Sequence, residues 1–187
     1  MIDLLHPSVQ ARSYAHEPLA DAQERYESIA DDISTVAMDE SEPPLFTGPA
    51  AREATAVLLS AIAWHESGFR KDVDVCHGAH SKGDHGRSIS LLQVMSGPNY
   101  EGHSAGEICE DRQLAIRLGL HVLRRAQKAC GGGPRSWLQS YAAGGCSIRS
   151  NVSRDVCIAF ERVGQKHLNG ISCASTGPVT LRETTGS

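Results

Sequence analysis

Apolar residues recur at helical spacing in separated segments of the chain, and one stretch, Asp72 to Gly86, breaks that period with three glycines in fifteen residues. The alternation predicts helices packed around one irregular insert. The first stripe runs from about Leu19 to Met38, with Tyr26, Ile29, Ala30, Ile33, Val36 and Ala37 on one face, and stops at the proline-ended acidic loop Asp39-Glu40-Ser41-Glu42-Pro43-Pro44. After Thr47-Gly48-Pro49, a second stripe carries Ala54, Val57, Leu58, Ala61, Ile62 and His65, and Gly68 is its natural stop. A third, from about Glu110 to Ala129, carries Ala115, Leu118, Gly119, Val122, Leu123 and Ala126. Acidic Glu110 and Asp111 lie at its start and Arg124, Arg125 and Lys128 near its end, as the helix dipole favours. Gly131-Gly132-Gly133 stops it. Ser136 is placed to cap a short helix through Tyr141, closed by Gly144-Gly145, and Val152, Val156, Ala159, Phe160 and Val163 predict a last helix. Ile89 to Val94 is a short apolar run. The expectation is a mainly α fold with a small irregular or β-hairpin insert around residues 72–90. It forms a single domain over 1–187, with a core of about 18–172 and loose tails at 1–15 and 174–187.

A chain of 187 residues can bury about 70% of its unfolded surface, enough for one core without a metal. The formal charge of −4, evenly scattered, offers no basic face and argues against a nucleic-acid partner. Nine histidines would make the charge positive in mild acid. No stretch approaches the ~20 apolar residues of a membrane span, and Met1 to Gln10 lacks the basic start and apolar run of a secretion signal. The reading is a protein made in the cytoplasm, with no signal peptide and no membrane span. Six cysteines (Cys76, Cys109, Cys130, Cys146, Cys157, Cys173) permit three disulfides in fifteen connectivities, or buried free thiols. Release into an oxidising place after synthesis would reconcile disulfides with the absence of a signal.

Glu66 lies at the end of the second stripe, four residues after Ile62 and eight after Leu58, so its side chain is expected to face inward. The negative end of the helix dipole and an apolar neighbourhood with Trp64 both disfavour a carboxylate there, which raises the expected pKa and suits a general acid. The plainer reading is a glutamate at a helix rim with its head in water.

Three segments extend this. Ala61-Ile62-Ala63-Trp64-His65-Glu66-Ser67-Gly68-Phe69 resembles the A-x-A-W-x-E-S-x-F segment that carries the catalytic glutamate of the soluble lytic transglycosylase family and its goose-type lysozyme relatives. Gly83-Asp84-His85-Gly86-Arg87-Ser88-Ile89-Ser90-Leu91-Leu92-Gln93-Val94 resembles the goose-type G-D-x-G-x-G-x-G-L-M-Q-V, and Tyr141-Ala142-Ala143-Gly144 resembles Y-N-A-G. They stand in family order, with a helix between the second and third. The flanks, 1–49 and 148–187, are not covered.

The resemblance implies a lysozyme-like fold that cleaves the β-1,4 bond between N-acetylmuramic acid and N-acetylglucosamine in peptidoglycan. Glu66 would protonate the leaving oxygen. As carboxylate it would then help the muramoyl C6 hydroxyl attack the anomeric carbon, leaving a 1,6-anhydro end. One carboxyl suffices for that route, and no cofactor or metal is expected. In the goose-type alternative, Asp84 holds a water on the opposite face and the bond is hydrolysed with inversion. By the same resemblance Tyr141 hydrogen-bonds Glu66, and Ser90, Leu92, Gln93 and Ala143 line the glycan site. Such an enzyme without a secretion signal would arrive as a bacteriophage virion or lysis protein, or as a delivered effector with a secretion-system partner.

Several positions depart from the family pattern, among them Ser90, which replaces a glycine, Ala142, which replaces the asparagine of Y-N-A-G, and Met95, which stands where goose-type enzymes place a second acid. They motivate a second reading, a catalytically inactive module that binds glycan or acts structurally. A third, a zinc-binding domain built on Cys76-His77-Gly78-Ala79-His80 to His85, matches none of the paired-ligand spacings, and no metal site is expected there.

Overall fold

The structure, a computed structural model, describes residues 17–77, 82–174 and 177–182. It is mainly α with a small antiparallel β insert. Helices α1 (Leu19–Met38), α2 (Ala51–Ser67), α3 (Lys71–Asp74), α4 (Ala105–Glu110), α5 (Arg112–Cys130), α6 (Pro134–Ala143) and α7 (Asn151–Gly164) follow in chain order. Strands β1 (Lys82–Gly83), β2 (Ser88–Ile89) and β3 (Val94–Met95) lie between α3 and α4, and β4 (Leu168–Asn169) and β5 (Thr180–Leu181) follow α7. The described residues divide into two compact units, one within 17–36 and 62–122 and the other within 37–61 and 123–182.

In the first unit, the α1 stripe buries Tyr26, Ile29 and Ile33, and the insert adds Ile89, Leu91, Leu92 and Val94. The sheet runs β1-β2-β3, with Gly83 opposite Ser88 and Ile89 opposite Val94. The apolar run Ile89 to Val94 is therefore a hairpin, whose turn residues Ser90, Leu91 and Leu92 are buried. Leu92 packs against α5 where there is no side chain: a Cβ at Gly119 would stand 2.3 Å from Leu92 Cδ1. The helix expected from about Glu110 to Ala129 is α5, and the short α4 before it lies where no helix was expected. Ser104 and Glu107 form a capping box that starts α4, and Asp111, extended in backbone, ends it and caps α5 by accepting the Leu114 N–H at 2.9 Å. Arg112 forks onto the buried Asp74 carboxylate at 2.7 and 2.9 Å and also reaches Asp32. Burial opposes its charge, but the contacts with Asp74 and Asp32 outweigh it and hold the guanidinium firmly protonated. Cys76 is bonded to Cys109, which ties the residues just after α3 to α4 around the insert.

In the second unit, Phe46 stacks on Phe160 with centroids 5.4 Å apart and tilts against Trp137 at 5.9 Å. Arg52 receives the end of α1 by donating to the carbonyls of Ala37, Asp39 and Glu42. Helix α6 starts earlier than Ser136: Gly133 is the cap and Pro134 the first residue, while the Ser136 hydroxyl donates to the carbonyls of Gly131 and Gly133. Gly144, at φ +74°, ends α6. Disulfides Cys130–Cys146 and Cys157–Cys173 complete a fully oxidised set among the fifteen pairings. On chain-entropy grounds, the two loops of 16 residues and the one of 33 stabilise by roughly 3 and 4 kcal/mol each respectively.

The expectation of a loose tail from Ala174 needs correction over 177–182. Thr180 and Leu181 pair with Asn169 and Leu168, and Val179 is buried, its N–H on the Thr47 carbonyl at 2.8 Å and its own carbonyl accepting the Ala50 N–H at 3.0 Å. Burying Val179 offsets the entropy of ordering the segment. The expected tail at 1–15 lies outside the described residues. Among the described residues no helix is long and apolar enough to cross a membrane.

Candidate functional site

Glu66 is the penultimate residue of α2 and is partly buried. The helix stops abruptly behind it. Gly68 has φ +57° and Phe69, with a full side chain, φ +51°. Ser67 locks this turn from within, its hydroxyl donating to the Ala63 carbonyl at 2.6 Å and accepting the Phe69 N–H at 3.1 Å. The buried Phe69 ring packs against Trp64 and Tyr26, each 6.0 Å away between centroids. Its carbonyl accepts Arg25 Nη1 at 2.7 Å. Nothing local in the sequence marks Arg25, because its partner lies 44 residues away. His65, beside Glu66, is partly buried.

The second motif segment forms the insert, and its backbone is strained. Among the described residues, five of the six non-glycine positions with positive φ fall between Phe69 and Gln93: Phe69, Cys76, His85, Ser90 and Gln93. Clustered strain of this kind is a mark of sites whose geometry matters more than their stability. Asp84 opens the 3-10 turn Asp84–Gly86 between β1 and β2; the role read for its carboxylate lies outside what is described. Ser90 has φ +63° and a side chain buried to 3% exposure, and its hydroxyl has no partner among the described residues. Glycine is the residue that such a left-handed position favours, and the serine here is buried in it. Leu92 is 1% exposed, so Ser90 and Leu92 can meet a ligand only through their backbone. Gln93 is partly buried and internally engaged: its amide oxygen accepts the Gly83 N–H at 3.1 Å and its nitrogen donates to the Ser90 carbonyl at 2.8 Å.

Glu66, Asp84, Ser90, Leu92 and Gln93 belong to the first unit, Tyr141 and Ala143 to the second. Tyr141 is partly buried in the last turn of α6, and Ala142 and Ala143 are exposed beside the Gly144 cap.

The zinc reading loses its thiolate, because Cys76 is bonded to Cys109. His77 and His85 are exposed, and His80 lies outside the described residues. Among the described residues, no three or more histidine, cysteine or acidic side chains converge as metal ligands. Compared with protein-family models, curated proteins and solved structures, the chain matches none.

Proposed function

We propose that the chain is a peptidoglycan-cleaving lytic transglycosylase acting on the bond between N-acetylmuramic acid and N-acetylglucosamine. Glu66 gives its proton to the glycosidic oxygen as the bond to the anomeric carbon breaks. The resulting carboxylate accepts the proton of the muramoyl C6 hydroxyl, whose oxygen closes onto that carbon, so no water is consumed and Glu66 regains its proton. The observation that carries this reading is the setting of Glu66: a partly buried glutamate at the negative end of a long helix, immediately before a locked turn, within a segment that resembles the catalytic segment of the transglycosylase family. The strained insert supports it, and so does the resemblance of Tyr141-Ala142-Ala143-Gly144 to the family segment Y-N-A-G. Three disulfides suit work in an oxidising place, consistent with a phage lysis or virion protein or a delivered effector.

Digestion of purified sacculi, with mass analysis of the sugar ends, tests the reading. Anhydro ends are expected. Reducing ends would replace it with hydrolysis, for which Asp84 is the candidate to hold the water. Saturable binding to sacculi without soluble product would leave the inactive glycan-binding module, the reading that the departures at Ser90 and Ala142 favour.

A further inference from the structure

We infer that Arg25, on α1, is a positioning residue for Glu66: it fixes where α2 ends by holding the left-handed turn behind the carboxyl. The inference rests on the proposed role of Glu66 only for its catalytic consequence. A left-handed conformation costs a residue with a Cβ about 1–2 kcal/mol, and Phe69 adopts it directly after the left-handed Gly68. Such a pair persists only where its surroundings over-determine it. Ser67 and the aromatic contacts with Tyr26 and Trp64 engage the N–H and ring of Phe69. The Phe69 carbonyl is taken by Arg25 at 2.7 Å.

Arg25 is itself rigid. Its Nε and Nη2 fork onto Glu17 at 3.2 and 2.8 Å, its guanidinium lies 5.0 Å over the Tyr26 ring, and Asp74 stands 4.0 Å from Nη1. With its side chain only 10% exposed and Glu17 5%, the pair is desolvated, so its geometry is well specified. The guanidinium therefore ties the end of α2 to α1 through a backbone atom. A turn released from that tie lets the last residues of α2 fray and the Glu66 carboxyl drift. An acid displaced by about 1 Å loses turnover by up to about a hundredfold while ground-state binding is little changed.

Two full-length variants test this. Arg25→Lys keeps a cation beside Glu17 but cannot fork onto it and reach the Phe69 carbonyl together. The double variant Arg25→Met, Glu17→Gln removes the pair without stranding a buried carboxylate. The readouts are amide exchange at Gly68 and Arg70, whose N–H groups bond the Trp64 and Ser67 carbonyls at 2.8 and 3.1 Å, and muropeptide release from sacculi. Both amides should exchange at least about tenfold faster, with the amides of Ile116, Leu118 and Leu120 in α5, which belong to the same unit, unchanged as the control for its global opening, and kcat should fall at least about tenfold at constant KM. Unchanged exchange, or faster exchange with full kcat, overturns the inference. Should the wild type release no muropeptide, the proposed activity falls by itself, and the carbon-13 shift of the Glu66 carboxyl in each variant decides: displaced supports the tie, unmoved refutes it.

Discussion

The amide oxygen of Gln93 accepts the backbone N–H of Gly83 at 3.1 Å, joining the two ends of the second motif segment. A Cβ at Gly83 would come within 2.4 Å of that oxygen, so the glycine and the glutamine require each other. Gly83, in the stretch read as an irregular insert, and Gln93, expected by resemblance to line the glycan site, thus form an internal strut of the insert, completed by the bond from the Gln93 amide nitrogen to the Ser90 carbonyl.

Gln93→Glu turns that nitrogen into a second acceptor facing the Ser90 carbonyl. It should destabilise the fold by about 1–3 kcal/mol, the cost of an unmade hydrogen bond to a partly buried group. Urea unfolding measures it, and a change below about 0.3 kcal/mol would show that the bridge is dispensable.

Ser90→Gly should stabilise. Relief of the left-handed strain at φ +63°, together with loss of a buried hydroxyl that has no partner among the described residues, outweighs the roughly 0.5–1 kcal/mol of chain entropy that glycine loses on folding. A gain of about 1 kcal/mol is expected by thermal unfolding. Destabilisation would mean that the hydroxyl is satisfied by a group or water that the described contacts do not include.

Gly119→Ala pits two effects against each other on α5. Helix propensity favours alanine by about 1 kcal/mol. The new methyl would meet Leu92 at 2.3 Å from Cδ1 and 3.1 Å from Cβ, in a place where Leu92 is buried and overpacking costs about 1–3 kcal/mol. Net destabilisation is expected, reversed in the double variant with Leu92→Ala relative to Leu92→Ala alone. Equal penalties in both backgrounds would separate Gly119 from the insert.

Glu17 gives the chain an acid-sensitive element. Hydrogen bonds from the Arg25 guanidinium hold its carboxyl below the ordinary glutamate range; burial pushes it up, and the charges of Arg25 and Lys71 pull it further down. A carboxyl with a lowered folded pKa contributes stability that is present above its unfolded pKa and lost as pH falls through the folded one. Melting temperature should therefore drop more steeply in wild type than in Glu17→Gln between about pH 5 and pH 3. Parallel curves would show that the ion pair contributes nothing.

Helices with a clean stripe and a chemical stop were legible. Helix α1 spans Leu19–Met38 because one face is apolar throughout and an acidic, proline-ended loop follows, and Gly68 marked the end behind Glu66. The short helix α4 was not legible, although Ser104 and Glu107 carry the capping-box spacing, because six residues with one buried residue, Ile108, make no periodic stripe. Val179 was read as tail because its partners, Thr47 and Ala50, sit at the start of the second stripe, and pairing across such distances leaves no periodic signal. Within the candidate site, the position of Glu66 followed from helix periodicity. The inward Ser90, the Gln93 strut and the Arg25 tie did not, because each depends on a left-handed turn or a distant carbonyl that residue type alone does not announce.

The most direct test of the account compares wild type with Glu66→Gln on purified sacculi, with both variants shown to unfold at the same temperature. Glutamine keeps the shape of the side chain and removes its exchangeable acid proton, so the release of anhydro-muropeptides should fall by about 10²- to 10⁴-fold, the range that a lone acid–base group commands. Release by Glu66→Gln at the wild-type rate would contradict the assignment of Glu66 as the acid on which the proposed activity depends.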